Sequence, residues 1–226
     1  MAATKPDFAA IVFDCDGVMV DSEAIYVEVE MRRLADIGLA YAVSDYQQRF
    51  NGLRPDDFVS AVAVEYAKLG KGSLPKTFGP DLAAEVYERM ETKLQPIAGI
   101  HDLLDQVSGP CAVASSSAAH RLIRKLEMTG LSKYFDEHVY SGDFVENGKP
   151  APDLFLYSAE KLSVDPAECL VIEDSANGVL AGIAAGMTTW GFIGGGHATS
   201  ELGERLKDAG AERVFESHAE IAVALR

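Results

Sequence analysis

Short apolar runs alternate with stretches of helical periodicity along most of this chain. Residues 9–13, Ala-Ala-Ile-Val-Phe, form an unbroken apolar run that ends in Asp14-Cys15-Asp16-Gly17. A run of that length closed by a polar turn predicts a buried strand. Similar runs at 111–114, 138–140, 169–172, 188–193 and 213–215 predict five more. Between them, residues 100–107, 118–129, 152–161, 177–185 and 201–209 carry helical patterns, with Gly130 and Gly186 as stops. Strands and helices in alternation imply βαβ units, hence an α/β fold built on a doubly wound, Rossmann-like parallel sheet.

Residues 18–95 break that alternation. Ile25, Val29 and Leu34 recur at helical spacing after Ser22, a candidate cap. Ser44 opens a short helix through Phe50, and Asn51-Gly52 marks a turn. Pro55 opens a helix through Phe58, Val62, Tyr66 and Leu69, and another runs from Asp81 to about Leu94. With no strand-like run, this segment is expected to be an α-helical cap, 18–95, inserted into a core made of 1–17 and 96–226. Tyr26, Phe58 and Tyr66 are expected to pack inside it.

Composition narrows the picture. The 226 residues are 48% hydrophobic, enough for a real core, and the formal charge of -15 argues against binding nucleic acid or acidic membranes. No apolar run approaches a membrane span, and the N-terminus lacks a signal-peptide pattern, so a soluble, cytoplasmic protein is expected. Cys15, Cys111 and Cys169 are odd in number and form no C-x-x-C, which favours packing thiols over disulfides or zinc. An anionic substrate would need positive charge supplied locally.

Polar groups gather at the predicted strand ends. Asp14 and Asp16 follow the first strand, Ser115, Ser116 and Ser117 the second, and Glu173 and Asp174 the fourth; Lys149 lies in a loop. In a doubly wound sheet all carboxyl ends share one edge. Four carboxylates and one lysine there repel unless a cation enters or one acid keeps its proton. Mg²⁺, which takes a few carboxylates, waters and a phosphate oxygen, solves the first problem. Ser115, Ser116 and the amides before the next helix suit a phosphate. Together these groups equip phosphoryl transfer through an aspartyl phosphate.

Four stretches resemble, in order, the motifs of the haloacid dehalogenase-like hydrolase superfamily. They are Asp14-Cys15-Asp16-Gly17-Val18, Ser115 after a strand, Lys149 in Gly-Lys-Pro-Ala-Pro-Asp, and Glu173-Asp174-Ser-Ala-Asn-Gly. The helical insertion, Val-Asp-Ser-Glu after the first motif and Ala-Gly-Ile-Ala-Ala-Gly-Met-Thr after the fourth are similar to its β-phosphoglucomutase-like, sugar-phosphatase branch. The resemblance implies Asp14 as nucleophile and metal ligand, and Asp16 as general acid–base whose carbonyl also meets Mg²⁺. Ser115 would bind the phosphoryl group, and Lys149 would neutralise it and orient Asp14. Asp174 would ligate the metal, and Glu173 would do so directly or through water. Dehalogenases of the superfamily lack an acid where Asp16 stands. Mutases place a His where Tyr26 stands, and their cap Arg falls one position later than Arg54. The expectation is a Mg²⁺-dependent phosphatase for a small sugar or sugar-acid phosphate resembling 6-phosphogluconate, with Arg54 gripping the substrate's distal anion. A phosphomutase and, from another class, a phospho-acceptor signalling module are the alternatives. A small phosphate ester is the expected partner; the oligomeric state stays open, a monomer being compatible.

Overall fold

Six strands form one sheet: β1 (Ala10–Phe13), β2 (Cys111–Ser115), β3 (Val139–Ser141), β4 (Cys169–Glu173), β5 (Thr188–Phe192) and β6 (Arg213–Phe215). Their order is β3-β2-β1-β4-β5-β6 and every neighbouring pair is parallel. The chain winds outward from β1 through β2 and β3, then returns to lay β4 on the other side of β1. The expected doubly wound α/β fold is therefore met, with its reversal point between β1 and β4. Such a reversal opens a crevice at the carboxyl ends of the strands. The computed structural model describes residues 8–50, 53, 55–196, 198 and 201–226, with side chains for all of these except Gln47, Gln48 and Pro55. Arg54, the Asn51-Gly52 turn and His197 lie outside the described residues.

Four helices, α1 (Glu23–Asp36), α2 (Val43–Phe50), α3 (Pro55–Lys68) and α4 (Phe78–Lys93), separate β1 from the rest of the sheet. Then α5 (Ile100–Leu104), α6 (Ala119–Met128), α7 (Asp153–Leu162), α8 (Ala176–Ala184), α9 (Leu202–Asp208) and α10 (His218–Ala224) interleave with the remaining strands. Ala10, Val12, Ala112, Ala114, Cys169 and Val171 pack with Leu154, Phe155 and Ala159 of α7 and Ala181 of α8. Alternation turns Phe13 to the opposite face, where it meets Phe135 edge-on at 6.2 Å. A parallel sheet covered on both faces explains why β1, β2 and β4 read as continuous apolar runs instead of alternating ones.

The chain divides into two compact units, residues 1–23 with 94–226, and residues 24–93. Residues 18–23 group with the sheet because Val20 is bridged both to Asp16 and to Pro96. Ile97 N donates to Met19 O at 2.9 Å and Asp21 N to Gln95 O at 3.0 Å. The second unit is helical. Its core holds Val29, Leu34, Val62, Leu82, Val86 and Met90, and an aromatic group in which Phe50 meets Tyr41 and Phe58 edge-on at 5.4 and 5.3 Å. Phe58 is buried as expected, whereas Tyr26 and Tyr66 are half-buried.

Candidate active site

Register places the first acids. Phe13 of β1 stands opposite Val113 of β2 and Ile172 of β4, so Asp14 emerges beside Ala114 and Glu173. Asp14 N donates to Ile172 O at 3.0 Å, extending the ladder one residue past the strand. Gly17 then turns the chain with φ 77°, a left-handed conformation that side chains disfavour. Cys15, between the acids, is buried, and burial pushes its thiol well above the ordinary value. It is a packing residue.

Lys149 arrives from the loop before α7. Its ammonium donates to Asp14 Oδ1 at 2.5 Å, Glu173 Oε1 at 2.6 Å and the Ala114 carbonyl at 2.8 Å. Three N–H groups meet three acceptors, which satisfies the ammonium completely. Burial alone would lower the lysine; Asp14 and Glu173 outweigh it and raise the group above its usual range, so it stays charged. For Asp14 the balance runs the other way. Burial raises its carboxyl well above the usual range, Lys149 opposes this, and the charges of Glu173, Asp174 and Asp16 add to the rise.

Both carboxylate oxygens of Glu173 are engaged within the chain. Its Oε2 accepts from Ser175 N at 3.0 Å and Ser175 Oγ at 2.9 Å, while Oε1 accepts from Lys149. Ser175 Oγ in turn accepts from Gly178 N at 3.1 Å, capping α8. Gly178 lies so close that any Cβ there would run into the Glu173 carboxylate. Asp174, the next residue, is buried beside these groups.

Asp16 sits in a second cage. Lys125 Nζ donates to its Oδ1 at 2.5 Å, the Ser22 hydroxyl donates to the same oxygen, and Ser117 Oγ donates to Oδ2 at 2.9 Å. Lys125 also donates to Ser117 Oγ at 3.0 Å. Burial would raise Asp16, but the Lys125 charge and these hydrogen bonds prevail and hold it below the usual carboxylate range. Ser22, expected as a cap, thus spends its hydroxyl on Asp16.

The serines after β2 are not equivalent. Ser115 is buried and its Oγ accepts from Ser117 N at 3.1 Å; Ser116 is exposed. Ser141 holds this loop by donating to Ser117 O at 2.7 Å. Asp143 Oδ2 accepts from Ala119 N at 2.9 Å, so two amides of the expected anion cradle are already engaged within the chain. Asp14, Lys149, Glu173 and Asp174 converge at the sheet edge, with Asp16 beside them.

Sequence reasoning missed Lys125, Ser22 as an Asp16 partner, and Ser175. Lys125 left one signal: it shares a helix face with Leu122, Leu126 and Thr129, all buried. A lysine on the apolar face of a helix requires a partner acid.

Among the described residues no three His, Cys, Asp or Glu side chains stand together as a complete metal cage. Mg²⁺ does not ask for one: two buried carboxylates, a carbonyl, waters and a substrate oxygen are its ordinary donors. The buried pair Asp14 and Asp174, with Asp14 pushed upward by burial and then by neighbouring negative charge, fits such an ion.

Fold and site together define a doubly wound α/β enzyme with a carboxylate–lysine centre at its reversal point. The model of haloacid dehalogenase-like hydrolases matches residues 8–186, and the chain belongs to that family. It is similar to the phosphorylated carbohydrates phosphatase of Thermotoga maritima, at 32% identity over 206 residues, 89% of this chain and 91% of that one. It is 28% identical over 189 residues to 6-phosphogluconate phosphatase of Escherichia coli (strain K12), covering 83% of this chain and 84% of the relative. A solved HAD family hydrolase from Deinococcus radiodurans R1, with bound phosphate and sodium, aligns with TM-score 0.85 at 35% identity over 97% of this chain and 96% of that one. No helix among the described residues is long and apolar enough to cross a membrane.

Proposed function

We propose that this hydrolase is a cytoplasmic phosphatase for a small phosphorylated sugar or sugar acid, acting through an aspartyl phosphate on Asp14. The observation that carries this reading is Lys149, which draws Asp14 and Glu173 together from distant stretches of chain. The phosphatase names of the relatives support the substrate class.

Lys149 grips Oδ1 of Asp14, so Oδ2 is the attacking oxygen. It bonds to phosphorus as the ester P–O bond breaks, and Asp16 gives its proton to the departing oxygen. Water then attacks the phosphorus of the aspartyl phosphate and passes a proton to Asp16; inorganic phosphate leaves and Asp14 is restored. Lys149 sets its positive charge beside the phosphoryl group while holding Asp14, and the hydroxyl of Ser115 donates to a phosphoryl oxygen. Asp14, Asp174 and the Asp16 carbonyl would hold Mg²⁺, which when bound neutralises charge on the phosphoryl group. Glu173 holds Lys149 through Oε1 and would reach the metal directly or through water. Arg54 remains the candidate for the substrate's distal anion, and Ser116 lies at the loop's exposed edge.

Phosphate release with Mg²⁺ from a panel of sugar phosphates and 6-phosphogluconate tests the reading. At least one substrate should turn over, chelation should stop it, and Asp14→Asn should lower kcat by about 1,000-fold or more. Failure to release phosphate from every ester would sink the proposal. Isomerisation of a sugar phosphate outpacing release would instead select the mutase.

A further inference from the structure

We propose that Lys125, together with Ser117, is a positioning residue that fixes the Asp16 carboxylate so that one lone pair of Oδ2 faces the reacting hydroxyl. This rests on the acid–base role of Asp16 proposed above.

A carboxylate offers about four lone-pair sites. Lys125 and Ser22 fill two on Oδ1, and Ser117 fills one on Oδ2. The remaining site, on Oδ2, is the one from which a proton is given or taken. Lys125 defines this arrangement twice, because it also donates to the Ser117 hydroxyl that meets Oδ2. The lysine is rigidly placed: its side chain is 5% exposed and its neighbours on α6, Leu122 and Leu126, are fully buried. Lys125 carries no reacting atom. Its effect passes entirely through the direction in which Asp16 points.

The two halves of the reaction separate this role from a structural one. With p-nitrophenyl phosphate the leaving nitrophenolate needs no proton, so forming the aspartyl phosphate does not use Asp16. The Asp14–phosphorus bond forms, the aryl P–O bond breaks, and nitrophenolate departs with the electron pair. Hydrolysis of the aspartyl phosphate still needs Asp16 to take a proton from water. A sugar phosphate needs Asp16 in both halves.

The test is steady-state and rapid-mixing kinetics on the full chain with Mg²⁺, for Lys125→Met, Lys125→Arg, Ser117→Ala and Asp16→Asn. For Lys125→Met on p-nitrophenyl phosphate, kcat should fall about 10- to 100-fold, within the range of general acid–base effects, while kcat/KM stays within about 3-fold. A burst of nitrophenolate equal to the enzyme concentration should precede the slow phase. On the sugar phosphate, kcat/KM should fall as well. Lys125→Arg should recover part of the loss. Ser117→Ala, which buries no unpaired charge and keeps the protein assayable if Lys125→Met fails to fold, should show the same split to a smaller extent. Parallel falls in kcat and kcat/KM on both substrates would mark a structural role and overturn the proposal, as would unchanged kinetics. Asp16→Asn keeps the two readings apart. If it lacks the split, the acid–base role of Asp16 fails; if it shows the split and neither Lys125→Met nor Ser117→Ala does, the positioning role fails.

Discussion

Two lysines serve three carboxylates at one end of the sheet, and the surroundings of those carboxylates differ. Both lysine side chains are 5% exposed. Lys149 lies between Asp14 at 10% and Glu173 at 1%, a centre closed on nearly all sides. Asp16, the partner of Lys125, is 22% exposed, so its cage is open on one side. A closed centre holds charge in a fixed place. An open one lets a carboxylate exchange protons with whatever enters. The proposed nucleophile sits in the first and the proposed acid–base in the second, which is the division of labour that phosphoryl transfer through an enzyme ester requires.

The largest test of this contrast removes each lysine in turn. Lys149→Met leaves two buried carboxylates without their cation and should cost about 3–5 kcal/mol, with near-complete loss of turnover. Lys125→Met leaves an acid that water reaches, and the loss should be nearer about 1.5–3 kcal/mol, the worth of hydrogen bonds to a charged group. Urea unfolding of both variants checks the ranking; equal losses would erase the distinction. Gly178→Ala probes the closed centre from behind, since the new methyl displaces the Glu173 carboxylate. Overpacking of this kind should cost about 1–3 kcal/mol and also lower kcat by loosening Lys149, read by melting and by phosphate release.

His218 supplies the smallest test, as a buried basic group set against the backbone. Its Nδ1 faces Ala98 O at 3.0 Å, and its ring stacks on Phe192 at 4.4 Å. Burial outweighs the backbone hydrogen bonds to Ala98 and Val18 and lowers its pKa from the ordinary 6.5. Below that value the unfolded chain binds a proton that the folded chain still refuses. The histidine's share of stability is therefore full above pH 6.5 and declines as pH falls beneath it. Melting temperatures at pH 7.5 and 5 should converge in His218→Gln relative to the parent; an unchanged difference would deny the histidine this part.

The closed centre was the more legible of the two. Asp14, Glu173 and Asp174 each follow an apolar run, and parallel strands bring such ends to one edge, so strand recognition alone carries them there. Lys149 needed its loop to fold back over β2, yet it lies in a recognisable Gly-Lys-Pro. Lys125 could not be read the same way. Its closeness to Asp16 depends on the rotation of α6 about its axis and on how the helix leaves Ser117, neither of which is written in local spacing. Ser22 looked like a cap because a serine before a helical run has two uses for its hydroxyl, and only tertiary structure chooses between them. Nor is it written in local spacing that Asp143, from the turn after β3, takes the Ala119 amide at the start of α6.

One further consequence follows from the way Met19–Asp21 and residues 95–97 run hydrogen-bonded side by side. Departure and return of the helical insert are adjacent doors in the same wall. A short turn joining Asp21 to Gln95 would close the gap and leave every strand of the sheet with its own neighbours. The seventy-odd residues between thus leave the sheet unit and rejoin it at one place, and their removal would take only the Ser22 hydroxyl from the Asp16 contacts described above.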